Sequence, residues 1–180
     1  MPSMSGSLPR RLGAAIAVFA VAGAAAAATE PPGATVSTER AEVAYRNPAG
    51  FTEMQRSFGN ARTDWLDELS RYVAQRAART LPEGERLLVT ITDVQRAGRV
   101  EPWRGPASND LRIVRDNTPP RIDLEFRLVG ANGAVLKEGA RQLRDVAFLN
   151  RAGLHRDEAL GYEKNLIDGW MRSDFGPPRR

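Results

Sequence analysis

The chain has no cysteine and a single histidine among its 180 residues. Without cysteine there is no disulfide, no thiolate nucleophile and no lipid-modified N-terminal cysteine, so a lipoprotein anchor is excluded. With one histidine, any His-based triad or dyad has to use His155, and Ser57, Ser70 and Ser108 lie in no G-x-S-x-G setting. A zinc ion would need carboxylate ligands, and neither H-E-x-x-H nor calcium-loop spacing is present. No metal or cofactor is therefore expected. Glycine-rich phosphate cradles are missing too, since Gly98, Gly105 and Gly130 to Gly133 read as turns. Lysine occurs only at 137 and 164, so arginine carries the formal charge of +4. Basic and acidic residues interleave, with no basic run separated by aromatics, which speaks against a nucleic-acid partner.

The one long apolar run is N-terminal. Arg10 and Arg11 precede Leu12 to Ala28, seventeen residues without a charged or strongly polar side chain, ending in Ala26-Ala27-Ala28. A short positive region, an apolar stretch and a small-residue end are the parts of a secretory signal peptide. Residues 1–28 are read as that signal. The run is slightly short for a bilayer span and rich in alanine, so no transmembrane span is expected after cleavage. The expected location is periplasmic or secreted. Removing the two arginines leaves 24 basic against 22 acidic residues, a net +2. Residues 29–40, rich in Pro, Gly, Thr, Ser and Glu, read as a disordered leader. Residues 41–175 read as one domain and 176–180 as a flexible tail, whose Arg179-Arg180 pair is the only basic cluster after the signal.

Within the domain, Glu42 to Arg46 alternates and predicts a short strand stopped by Asn47-Pro48. Asn47 to Asn60 reads as a loop. Trp65, Leu66, Leu69, Tyr72, Val73 and Ala77 recur at helical spacing and predict a helix over 61–80, capped by Asn60 or Thr63 and ended by Pro82-Glu83-Gly84. Arg86 to Val94 predicts a second strand with Asp93 on its apolar face. A long connection covers 96–119, with a short strand near 110–115. Arg121 to Val129 alternates strictly, with Ile122, Leu124, Phe126 and Leu128 on one face and charges on the other, so one sheet face is buried and one is wet. Asn132-Gly133 then predicts a hairpin turn, and residues 134–146 the return strand, with a bulge at Gly139. A last helix is predicted over 157–173, where Gly161 and Gly169 count against intrinsic helix stability. The fold class is α+β: a two-layer sandwich with a mixed sheet of about four to five strands in β-α-β-β-β-α order and both helices on one face.

The order and spacing of several short motifs resemble a known family. They are Phe51-Thr52-Glu53, Leu81-Pro82-Glu83-Gly84, Thr92-Asp93-Val94 with Ala97-Gly98, and Asp110 to Val114. Further along come Pro119-Pro120-Arg121-Ile122, Asp145 before Phe148, Tyr162-Glu163-Lys164 and Asp168-Gly169-Trp170. Together they resemble an exported bacterial family known as domain of unknown function 3016, over about 43–175. The resemblance implies export and a shared fold, and carries no activity.

The residues singled out as binding or loop-anchoring candidates are Asp93, Trp103, Arg112, Arg121, Asp145, Tyr162 and Glu163; no catalytic residue is assigned. Asp93 carries two readings. It anchors the following loop, through amides around 96–98 or through Arg112 or Arg121, or it pairs with Asp145 or Glu163 across a cleft for glycoside hydrolysis. Trp103 reads as a stacking residue for a sugar or peptide, or as a plug on the core. The sequence points to a non-catalytic binding or interaction module of the cell envelope, with an envelope protein or glycan as partner. The alternative is a small carboxylate-dependent hydrolase acting on an envelope glycan.

Overall fold

The computed structural model describes residues 33–56, 63–101, 111–150, 155 and 158–177. Strands β1 (Gly33–Ser37) and β2 (Ala41–Tyr45) form an antiparallel pair. A 3-10 turn (Pro48–Gly50), α1 (Thr52–Arg56) and α2 (Asp64–Thr80) then lead to β3 (Arg86–Gln95), which lies parallel to β2. β4 (Arg99–Val100) and β5 (Arg112–Ile113) make a separate two-stranded ribbon. β6 (Arg121–Val129) and β7 (Val135–Arg144) form the hairpin, and α3 (Gly161–Phe175) closes the described fold. The five-stranded sheet runs β1-β2-β3-β6-β7, mixed as expected, and α2 and α3 pack on one face.

The alternation in β6 decides which face that is. Ile122, Leu124, Phe126 and Leu128 are all buried, and across the sheet Leu87, Val89 and Ile91 of β3 and Ala41, Val43 and Tyr45 of β2 join them. α2 contributes Trp65, Leu66, Leu69, Val73 and Ala77, and α3 contributes Leu166, Ile167, Trp170 and Met171. Burying these apolar stripes against one sheet face is the main stabilising contribution. The opposite face carries cross-strand ion pairs: Arg46 on Glu125 at 2.8 Å, Arg86 on Glu42 at 3.0 Å and Arg127 on Glu138 at 3.1 Å.

The sheet edges depart from expectation. Gly33–Ser37, read as leader, is the edge strand β1; its composition offers no alternation to betray a strand, and only pairing with β2 supports it. On β7 the positions facing the helices include Lys137, Gly139 and Arg141, which lie opposite Leu128, Phe126 and Leu124. Arg141 lies 5.1 Å over the Phe126 ring and Lys137 5.4 Å over Phe175, while both side chains reach Asp174. Inward-pointing cations of this kind keep an edge strand from recruiting another chain. Gly139 is in register, and the irregularity lies at the start of β7, between the Leu128 and Val129 pairings. A Cβ at 139 would press on the Arg141 guanidinium at 3.2 Å and lie in ordinary contact with the Phe126 ring.

Helix boundaries also move. The loop predicted over 47–60 contains α1, too short to show a period. Thr63 is the N-cap of α2 through its backbone only, its carbonyl accepting the Leu66 amide at 2.8 Å. α3 begins at Gly161, because Leu160 before it adopts φ +59° and turns the chain. Gly161 is required there: a Cβ would sit 1.9 Å from the His155 carbonyl oxygen.

Candidate functional site

Most buried charge gathers at the C-terminal end of β3. A β-bulge between Ile91 and Asp93 shifts the register, so Val94 rather than Asp93 takes the inward position. This corrects the placement of Asp93 on the apolar face: the extra residue re-aims its side chain toward the start of α1. There Asp93 Oδ1 accepts the Thr52 amide at 2.6 Å, and Oδ2 accepts the Thr52 hydroxyl at 2.7 Å and Nη2 of Arg121. Burial alone would raise the Asp93 pKa. The Thr52 donors and the Arg121 cation outweigh it and hold the carboxyl below its ordinary value. Of the two Arg partners considered, the one present is Arg121, and the amide that Asp93 holds belongs to Thr52 rather than to 96–98.

The amides that follow β3 go to two other carboxylates. Glu53 on α1 accepts the Arg96 amide at 3.1 Å and pairs with Arg112. Glu163 on α3 accepts the Ala97 amide at 2.7 Å. Arg112, on β5, also donates to the carbonyls of Ala97 and Gly98, at 3.1 and 2.8 Å. Gly98 has φ +71°, and a Cβ there would meet the Ile113 carbonyl at 2.5 Å, so glycine lets the two segments touch. Glu163 is 3% exposed, and burial pushes its carboxyl above the usual range despite the Ala97 amide. Glu101, at 1% exposure, is held by Arg115 at 3.1 Å and lies 3.7 Å from Arg99. Arg96 completes the group: its guanidinium lies 5.6 Å over the Trp65 ring, and its buried Nε has no hydrogen-bond partner.

A second polar cluster seals α2 to α3. The Tyr72 hydroxyl donates to Asp168 Oδ1 at 2.6 Å and lies 2.8 Å from His155 Nε2. Arg76 reaches Asp168 at 2.7 Å, His155 Nδ1 lies 3.0 Å from Glu158, and Lys164 bridges Glu68 and Glu158 at 2.9 and 3.0 Å. Burial and Asp168 both raise the Tyr72 pKa, so its phenol stays protonated and acts as a donor. His155 therefore sits inside a helix–helix seam. The signal for this cluster was present in α3, whose buried stripe is interrupted by Glu163, Lys164 and Asp168.

The remaining candidates separate. Asp145 accepts the Ala147 amide at 3.0 Å in the turn after β7, and Tyr162 packs edge-on against Phe148, with centroids 4.9 Å apart. Trp103 lies outside the described residues. Asp93, Asp145 and Glu163 are each engaged with a different partner set. Among the described residues no group of three or more His, Cys, Asp or Glu is placed to hold a metal, and no helix is long and apolar enough to cross a membrane.

The family model described as protein of unknown function (DUF3016) matches residues 39–173, three quarters of the chain. The chain belongs to this family. Comparison with curated protein sequences gives no significant match. In this DUF3016 member the matched span runs from just before β2 to the last turn of α3, so it includes both polar clusters together with the sheet and leaves β1 outside.

Proposed function

We propose that this DUF3016 protein is a non-catalytic binding module of the bacterial cell envelope, exported by its N-terminal signal. The observation that carries the reading is the division of labour at the end of β3. Asp93 and Glu53 are occupied by backbone amides and arginines and Glu163 accepts the Ala97 amide, which fixes the loop, while the Arg96 guanidinium above Trp65 is left with donors to offer. A general acid or base has to meet a reacting group with a free carboxyl oxygen and a matched pKa. A binding surface needs instead a rigid frame and a few unspent donors. The apolar run over 12–28 and its small-residue end support export.

The test combines fractionation with product analysis. Protein from its native host should be found in the envelope or medium with an N-terminus at or near Thr29; an intact Met1 in the cytoplasmic fraction would overturn the export reading. Purified protein incubated with envelope glycan fragments and envelope peptides should return them chemically unchanged by mass spectrometry while retaining some of them on a column. Cleaved glycan, with cleavage lost in Asp93→Asn or Glu163→Gln, would replace the binding reading with the hydrolase.

A further inference from the structure

We propose that Arg96 and Trp65 form a subsite for the carboxylate group of a ligand. The proposal deepens the binding-module reading and rests on it. Arg96 follows β3, and its main-chain amide is fixed by Glu53 at 3.1 Å. Its side chain lies over Trp65, itself buried in the core at the start of α2. Among the described residues its guanidinium donates no hydrogen bond, and Nε is fully buried without a partner. The neighbouring arginines differ in their Nη groups: Arg112, Arg115 and Arg121 each donate to a carboxylate, although Arg121 Nε is likewise buried without a hydrogen-bond partner. The nearby acids are already engaged, Glu53 by Arg112 and the Arg96 amide, Glu163 by the Ala97 amide and Glu68 by Lys164.

A buried polar group without a partner costs stability, and native proteins hold few of them. Burial and the adjacent Arg112 cation both disfavour the charged form of Arg96, and they outweigh the pull of the Glu163, Glu53 and Glu68 carboxylates. An anion arriving at the guanidinium relieves both. The residue is partly exposed although its Nε is buried, so an arriving ligand would meet the Nη donors. The aromatic ring beneath holds the planar fork in one orientation. A fork of parallel N–H donors matches a planar carboxylate two bonds to two. A tetrahedral phosphate calls for donors from several sides, and Arg112 is already committed to Glu53 and to two backbone carbonyls.

The experiment is an NMR titration of the purified protein with acetate and with N-acetylalanine, at ionic strength held constant with chloride. Inorganic phosphate is titrated in parallel. The Arg96 Nε–Hε signal and the amides of Trp65 and Ala97 should shift saturably with both carboxylates, and at least about tenfold more weakly with phosphate. Arg96→Met should abolish the shifts and raise the melting temperature of the free protein, because an unpartnered buried charge is removed. Arg96→Lys, which keeps the charge and loses the fork, should weaken binding about tenfold. Arg127→Gln, on the open sheet face, should bind as the parent does. Linear shifts of equal size for acetate, phosphate and chloride would overturn the proposal, as would tighter phosphate binding or a Lys variant that binds equally well. If the subsite fails while the column experiment still retains an intact ligand, the binding-module reading stands with its contacts elsewhere.

Discussion

The two faces of the sheet use charge in opposite ways. On the open face, Arg46, Glu125, Arg127 and Glu138 pair across strands in contact with water, where such pairs contribute little. On the helix-covered face and at its C-terminal end the charges are partly or fully withdrawn from water, and most are tied to fixed donors or acceptors. Asp93 holds Thr52 and Arg121, and Asp168 holds Tyr72 and Arg76. The same residue types are thus a solvated coat on one side and joints between segments on the other. Desolvation makes the difference: a charge that leaves water must recover its hydration from fixed partners.

The largest effect that would sharpen this contrast is expected at Phe126, whose ring packs edge-on against Trp170 and Phe175. Phe126→Ala should cost about 3–5 kcal/mol in a denaturant titration. A loss as small as that of an open-face substitution would mean that the helices do not cover this face.

Next comes Asp93→Asn, which keeps the shape and weakens the charge-assisted bonds to Thr52 and Arg121. Stability should fall by about 1–3 kcal/mol, and the amides of α1 should exchange faster while α2 stays protected. The pH dependence has a definite sign. The folded pKa of Asp93 is depressed, so its contribution is present above the unfolded carboxylate value of about 3.9 and is lost as pH falls through the folded one. Acid unfolding of the variant should lack that component. Unchanged stability and exchange would remove Asp93 from the joints.

Glu163 has the opposite sign. Its folded pKa is raised, so its contribution is complete below about 4.3 and is lost as pH rises through the folded value. Glu163→Gln should therefore flatten the stability profile between mildly acidic and neutral pH, read by thermal melts across that window. A steeper neutral-side decline in the variant would show that the carboxylate is favoured in the fold. The smallest effect is expected for Glu125→Ala on the open face, within about half a kcal/mol, with the loss diminishing in salt. An effect as large as that of Asp93→Asn would erase the contrast between the faces.

Regular elements with a clear period were legible in the sequence. The alternation from Arg121 to Val129 and the stripe from Trp65 to Ala77 fixed one buried face, one wet face and helices on one side, because periods of two and 3.6 residues are set by local backbone geometry. The Arg121 partnership of Asp93 was among the readings of the residues. The sequence did not reveal β1, a Gly-Ala-Thr-Val-Ser segment whose strand state depends on pairing with β2, or α1, five residues long. Nor did it reveal the bulge beside Asp93. One extra residue in β3 turns that carboxylate from the core side to Thr52, and nothing in Thr92-Asp93-Val94 announces it, since a bulge is defined only against the partner strand. The seam of Tyr72, His155 and Asp168 likewise joins residues 83 and 96 positions apart. Local chemistry determined the faces. Which charges meet, and that the Arg96 guanidinium donates no hydrogen bond among the described residues, was decided by long-range pairing, because a charge takes its character from the partners that folding brings to it.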